Sequence, residues 1–278
     1  MVFITNQSTQ AEILRQQRLA REIATEQVKI SSGDKLLAPS DNPQDWVQIS
    51  EIGRQQSMNA AWKSNVAYAQ SRAAQASSSL EDVNNLMTNV NELLVQATAH
   101  GAGSAGAEAI ALSIEGIRAS INEILNKTDY QGTPIFDSGT TVNVPVSRGL
   151  SVEAVGTRES IADNVIGTKS LDQILTDAIN AVRAGVPADR TASIGEAKKA
   201  LDHVIVAQSK QAIRAERLDQ VEDRIINNNV ELVERRSGLE DTDVTDAAMT
   251  LQSKLTTLEA AQAAFARVAQ KSLFDYLT

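Results

Sequence analysis

The 278-residue chain has no cysteine, which removes disulfides, thiolate metal sites and cysteine nucleophiles from consideration. Aromatic residues make up only 3% of it, so the 42% hydrophobic fraction comes mostly from Ala, Leu, Ile and Val. Broad globular cores draw much of their buried area from rings, and a chain this poor in them packs along narrow seams instead. Proline is confined to positions 39, 43, 134, 145 and 187, which leaves 44–133 and 188–278 free of the strongest helix breaker. Basic residues are outnumbered, 26 to 35, and they form no block. Nucleic acid is therefore excluded as a partner, because phosphate binding needs concentrated Lys and Arg. No stretch approaches the roughly 18–20 apolar residues of a membrane span, so no membrane insertion is expected. The opening residues, Met1 to Gln7, lack the basic segment and apolar run of a Sec signal. They imply a soluble chain, or one exported by a route that does not read such a signal.

What the chain has in quantity is helical periodicity. Val66, Ala69, Ala73, Ala76, Leu80, Val83, Met87, Val90, Leu94 and Ala97 recur at alternating spacings of three and four, the pattern of a coiled-coil seam. Asn42 suits an N-cap for that helix, Pro43 its first position and Asp45 its first turn. The glycine cluster 101–106 ends it, and Ala107, Ile110, Ile114, Ile117, Ile121 and Ile124 seam a third helix. The short loop between the two implies an antiparallel pair. Between about 132 and 167 the period falls to two. Val142, Val144 and Val146, then Leu150, Val152 and Ala154, flank Arg148-Gly149 and predict a β-hairpin. This insert is expected to project outward and to be dispensable for assembly. Helices resume near Leu171, break around Gly185-Val186-Pro187, and run on over about 190–236 with Leu218, Val221, Ile225 and Leu232. After an interruption near Gly238 a last helix opens at Asp243 and carries Val244, Ala248, Leu251, Leu255, Leu258 and Phe265. The first segment, roughly 6–31, is also helical, with Ile13, Ala20, Ile23 and Ile30.

The fold class expected is therefore mainly α: a long antiparallel coiled-coil or helical bundle with paired terminal helices and a small β-hairpin insert. Five segments follow from the pattern: an N-terminal assembly helix and turn (1–43), two parts of a helical core (44–131 and 168–238), the β insert (132–167) and a C-terminal assembly helix (239–278). The two terminal stripes lack an obvious core of their own, and helices of this kind draw their stability from packing. The ends are expected to be protease-sensitive in a free monomer, around a resistant fragment of roughly 45–235.

Chemistry-bearing motifs are sparse. Gly101, Gly103 and Gly106 satisfy the letter of G-x-G-x-x-G, but a helix precedes them where a dinucleotide site needs a strand, so a flexible interhelical turn is the better reading. His100 and His203 stand about a hundred residues apart without paired ligands at metal spacing. Asp241, Asp243 and Asp246 lack the glycine and closing glutamate of a calcium loop and read as helix capping. Asn126-Lys127-Thr128 is a glycosylation sequon by letter only. Nothing points to an enzyme, a metal or a cofactor.

Several blocks resemble the flagellin superfamily, and within it the hook-associated protein 3 branch. Residues 30–43, from Ile30-Ser31-Ser32-Gly33 to Pro39-Ser40-Asp41-Asn42-Pro43, are similar to the family's "S-[ST]-G-K-[RK]…P-S-D-D-P" block, departing at Asp34 and Asn42. The ending, through Leu258-Glu259-Ala260-Ala261-Gln262 to Ser272-Leu273-Phe274-Asp275-Tyr276-Leu277, resembles that branch's "SLFDYL" finish. Val90-Asn91-Glu92-Leu93-Leu94-Val95-Gln96-Ala97 and Thr128-Asp129-Tyr130-Gln131-Gly132 are similar instead to flagellin's own "V-R-E-L-A-V-Q-A" and "T-E-F-N-G" stretches.

The resemblance implies a structural component of the bacterial flagellum, a hook–filament junction protein. The alternative is a short flagellin that forms the filament itself, and a coiled-coil signalling module is more remote. It implies pairing of the terminal helices along the inner axis, with an assembly interface at Ile13, Ala20, Ile23, Ile30, Leu251, Leu255, Leu258, Phe265 and Phe274. The partners implied are other copies of the chain, flagellin, hook-associated protein 1, and the type III export machinery with its chaperone. The implied place is extracellular, on the flagellum. Asn91 stands where many flagellins carry the arginine seen by innate immune receptors, so that recognition does not carry over.

Overall fold

A computed structural model describes residues 2–129 and 132–277, with side chains described for 10–129 and 132–267. The chain runs α1 (Val2–Ser32), α2 (Pro43–Ala97), α3 (Ala105–Leu125), β1 (Asn143–Ser147), β2 (Leu150–Glu153), α4 (Leu171–Ala184), α5 (Pro187–Glu240) and α6 (Val244–Leu277), with a short π-helical turn, Glu159–Asp163, between β2 and α4. The fold is mainly α with one small antiparallel hairpin. It divides into two compact units, one of residues 57–229 and one of 1–56 with 230–278. The unit boundaries fall inside α2 and α5.

Helix ends follow local chemistry. Asn42 Oδ1 accepts from the backbone N–H groups of Gln44 and Asp45, as its capping role requires. Asp243 Oδ1 does the same for Thr245 and Asp246 at the start of α6, so Asp243 is the N-cap of that helix. Ser170 opens α4 with a reciprocal capping box to Gln173, and Gly185, at φ +71°, closes it. Gly238 does not interrupt α5, which continues to Glu240. A single glycine costs a helix only about 1 kcal/mol relative to alanine, too little to end one 54 residues long.

The larger unit carries the core. All ten expected seam residues of α2, from Val66 to Ala97, are at most 1% exposed. Ala197, Ala200, Val204, Ala207, Leu218, Val221 and Ile225 supply the matching stripe of α5. Side chains of α2 and α5 meet along it: Asn59 donates to Asn228 Oδ1 (2.8 Å), and Gln70 donates to Asp219 and Glu222. Asn59, 5% exposed, is a polar group on the α2 seam, and such a group fixes register in a helix pair at some cost in stability. Helices α3 and α4 pack antiparallel, tied by Asn122 to Asp172 and by Arg183 to Glu108 and Glu115. Arg190, buried at the start of α5, donates to the carbonyls of Ala97 and His100 at the end of α2 and of Val182 in α4, serving two helix C-termini at once.

The β insert does not project from the molecule. Val144, Val146, Val152, Ala154 and Val155 are buried within the same core as the helices. The hairpin is antiparallel, with Val144 opposite Val152, so one face turns its valines inward while Val142 stays exposed. Polar ties add to the packing. Asn65 of α2 donates to the Pro145 carbonyl, and Gln211, at a seam position of α5, donates to the Ala154 carbonyl. Before the hairpin, Arg72 of α2 is buried against Asp137 at 2.8 Å and also donates to the Pro134 carbonyl. The remaining Asp137 oxygen accepts from the Val142 N–H (2.7 Å). The expectation that this segment projects outward is corrected by this burial.

Candidate assembly surface

The smaller unit contains the terminal helices, and α1 packs on α6. Two backbone bonds hold the linkers at one end of the pair: Thr242 N–H to the Gly33 carbonyl, and Lys35 N–H to the Glu240 carbonyl, each 2.7 Å. Lys35 adds its ammonium to the Gly238 carbonyl (2.7 Å). Gly33 sits at φ +83°, a conformation that side-chain-bearing residues adopt at a cost, so the turn leaving α1 depends on glycine here. Asp41 closes the following loop by accepting from Leu37 and Ala38. The block that carried the family resemblance, 30–43, is thus a folded linker clasped to the α5–α6 junction.

The linker bonds and the ion pairs of Lys254 with Glu22 (3.5 Å) and Glu26 (3.2 Å) set α1 and α6 antiparallel. Of the anticipated interface residues, Ile23 is buried, and Ile30, Leu251, Leu255, Leu258 and Phe265 are half-buried. Ile13, 42% exposed, and Ala20 lie on the open side of α1. Phe274 lies outside the residues whose side chains are described.

The α1 face toward α6 therefore differs from the stripe read in the sequence. It is made of Glu12, Gln16, Leu19, Ile23, Glu26 and Ile30, all buried or half-buried and spaced alternately by four and three. Half of these positions are polar. The Gln16 amide nitrogen is buried without a partner, and Glu26 and Lys254 form their ion pair inside the seam. Polar seam residues specify register at a cost in stability. The structure adds Leu14, Val28, Val244 and Met249 as exposed apolar side chains of the same pair. The signal that could have found this seam is the unbroken four–three spacing from position 12 to 30, which a search for apolar residues alone passes over.

No group of three or more His, Cys, Asp or Glu side chains able to hold a metal occurs among the described residues. Nor is any described helix long and apolar enough to cross a membrane. The unit has exposed apolar side chains, a backbone clasp and paired charges on its terminal helices.

Comparison with known proteins agrees with that character. Residues 3–141 match the family described as the bacterial flagellin N-terminal helical region. The chain is 26% identical over 143 residues to the flagellar hook-associated protein 3 of Escherichia coli K12, a match covering 51% of this chain and 45% of that protein. The chain thus spans less than half the length of that curated relative. In fold it is similar to a flagellar hook-associated protein from Vibrio parahaemolyticus (TM-score 0.64, 17% identity, 72% of this chain and all of that one). It is likewise similar to FlgL of Bacillus cereus (TM-score 0.54, 18% identity, 70% of this chain and all of that one). The family match covers half of the chain, from α1 to the approach of the β insert, and the chain belongs to the flagellin family by its N-terminal helical region.

Proposed function

We propose that the protein is a structural component of the bacterial flagellum that joins the hook-associated ring to the flagellin filament. The observation that carries this reading is the terminal pair, α1 on α6, with a half-polar inner seam and an outer row of exposed apolar side chains. A seam of that kind holds the pair together only modestly, and the outer row remains available to neighbours supplied by a growing axial structure. Similarity to hook-associated protein 3 supports the junction over the filament. The partners are other copies of this chain, flagellin on one side and hook-associated protein 1 on the other. Export runs through the flagellar type III channel with a chaperone, and the protein acts outside the cell without catalysis. Ile13, Ala20, Ile23, Ile30, Leu251, Leu255, Leu258, Phe265 and Phe274 contribute the assembly interface, Ile13 and Ala20 toward neighbours and Ile23, Ile30, Leu251, Leu255, Leu258 and Phe265 chiefly within the pair.

A deletion strain tests the proposal. It should build hooks, fail to retain filaments and release flagellin into the medium, and the gene supplied in trans should restore filaments. A deletion strain with normal filaments would end the junction reading. One that makes no flagellin at all would point to the filament subunit instead.

A further inference from the structure

The larger unit holds a cavity that its helical packing leaves unfilled. It measures about 280 Å³ and opens between α2, the β hairpin and α5, with Trp62, Val146, Leu150, Val221 and Ile225 as its apolar walls. Asn59, Ser147, Arg224 and Asn228 supply its polar lining. Val146 and Val221 belong to the buried core, so the floor is fixed by the packing that holds the hairpin on the helices. Arg224 and Asn228 are exposed, which puts them at the mouth.

The polar groups of this cavity are only partly used. Arg224 spends its Nε on the Gln220 carbonyl one turn back (3.3 Å), and its terminal nitrogens meet no carboxylate among the described residues. Arg148 stands on the turn between the lining residues Ser147 and Leu150, and it too has no ion pair among the described residues. Of the acidic residues just before Arg224, Glu222 accepts from Gln70 and Asp223 does not line the cavity. The amide pair gives an independent indication. Asn59, only 5% exposed, donates from Nδ2 to Asn228 Oδ1 (2.8 Å). Its own Oδ1 accepts no bond among the described residues, yet it is not sealed from solvent. The Asn228 Nδ2 is also uncommitted among them. One free acceptor beside one free donor matches the N–H and C=O of a peptide group, and buried amide oxygens are almost always paired.

Size narrows the occupant further. Small-molecule pockets enclose about 300–1,000 Å³, and this one falls just short of that range. It has room for one aromatic side chain stacked on the Trp62 indole, in the way that anchor residues fill pockets at protein interfaces. We propose that the cavity is an anchor socket for a partner polypeptide that presents an aromatic side chain next to an aspartate or glutamate. The ring enters against Trp62, Val146 and Ile225, and the adjoining carboxylate pairs with Arg224. The peptide group between them bonds Asn59 and Asn228. A carboxylate on a guanidinium forms a bond roughly twice as strong as a neutral one, so the acid decides which aromatic segments are taken. This contact lies outside the terminal pair and does not depend on the junction reading.

Trp62 reports on its own pocket. The chain has two tryptophans, and Trp46→Phe in the full-length protein leaves Trp62 as the only indole. The probe is the capped tetrapeptide acetyl-Gly-Phe-Asp-Gly-amide, titrated while indole emission is followed. The expected result is a saturable change in emission, with the Phe-Asn and Ala-Asp versions of the peptide binding at least about tenfold more weakly. Arg224→Gln, at an exposed position, should remove the preference for Phe-Asp over Phe-Asn and leave the melting curve unchanged. No saturable change with the Phe-Asp peptide overturns the socket. Equal binding of the Phe-Asp and Phe-Asn peptides, or a preference that survives Arg224→Gln, overturns the pairing with Arg224. Hydrocinnamate carries the ring and the carboxylate without a peptide group. If it binds as tightly as the tetrapeptide, the cavity serves a free organic acid, and the polypeptide partner is overturned.

Discussion

Replacing Arg72 by alanine should be among the most damaging single changes outside the apolar seams. The Arg72 and Asp137 side chains are 5% and 4% exposed, their charged atoms are 2.8 Å apart, and both carry further bonds, from Arg72 to the Pro134 carbonyl and to Asp137 from the Val142 N–H. Arg72→Ala leaves the Asp137 carboxylate in a dry site with one amide donor. Removing one partner of such a pair costs about 3–5 kcal/mol, because the charge that remains is uncompensated. In a unit of this size each kcal/mol moves the midpoint by about 2–4 °C, so the melting temperature of the larger unit should fall by about 6–20 °C. The double variant Arg72→Ala/Asp137→Ala should recover part of that loss, since the orphaned charge is gone. Circular dichroism at 222 nm of wild type, both single variants and the double variant completes the cycle. A loss below about 1 kcal/mol for Arg72→Ala, or strict additivity in the double variant, would show that the pair does not anchor the approach to the β insert.

Limited proteolysis of the free monomer should cut first within the terminal helices and leave a resistant fragment close to 57–229, the compact larger unit. Early cleavage within 66–97 would contradict this. Leu258→Asp places a carboxylate at a half-buried position of α6. It should abolish filament retention and loosen the terminal pair while leaving the main melting transition within about 0.5 kcal/mol, and a large fall in that transition would assign Leu258 to the central core. Replacing residues 139–157 by a Gly/Ser linker should unfold or strongly destabilise the larger unit, because it removes five buried side chains, Val144, Val146, Val152, Ala154 and Val155; a folded, exported deletion would refute that packing. Lys169 is bonded to Asp177 and Glu196, and those bonds hold its pKa above the ordinary 10.5. A raised folded pKa means a contribution fully present below 10.5 and lost as pH rises through the folded value. Lys169→Met should therefore lower stability modestly at neutral pH and converge with the wild type as pH rises through the folded pKa, which flattens the alkaline limb of the profile.

The legibility of the sequence varied with how completely apolar residues fill each seam. The α2 stripe was plain because all ten of its positions are apolar and strictly spaced, and every one is buried. In α1 the same spacing is occupied by Glu12, Gln16 and Glu26, so apolar residues drew attention to Ile13 and Ala20, which lie on the open side. The hairpin's period of two identified strands near 142–146 and 150–154, yet period alone does not say what covers them. The buried face became apparent only through the contacts of Asn65, Arg72 and Gln211, which come from helices distant in sequence. Gln211 itself occupies a seam position that reads as a break in the α5 stripe until its bond to Ala154 is known. Gly238 looked like a stop because glycine weakens helices, but flanking turns carry the helix past it to the clasp with Lys35.

The place of the protein in the flagellum is read most directly by immunogold electron microscopy of sheared flagella, with antibody raised against the larger unit. The junction reading predicts gold only at the hook-proximal end of each filament, in a few particles per flagellum. Label distributed along the filament would contradict it and identify the chain as a filament subunit.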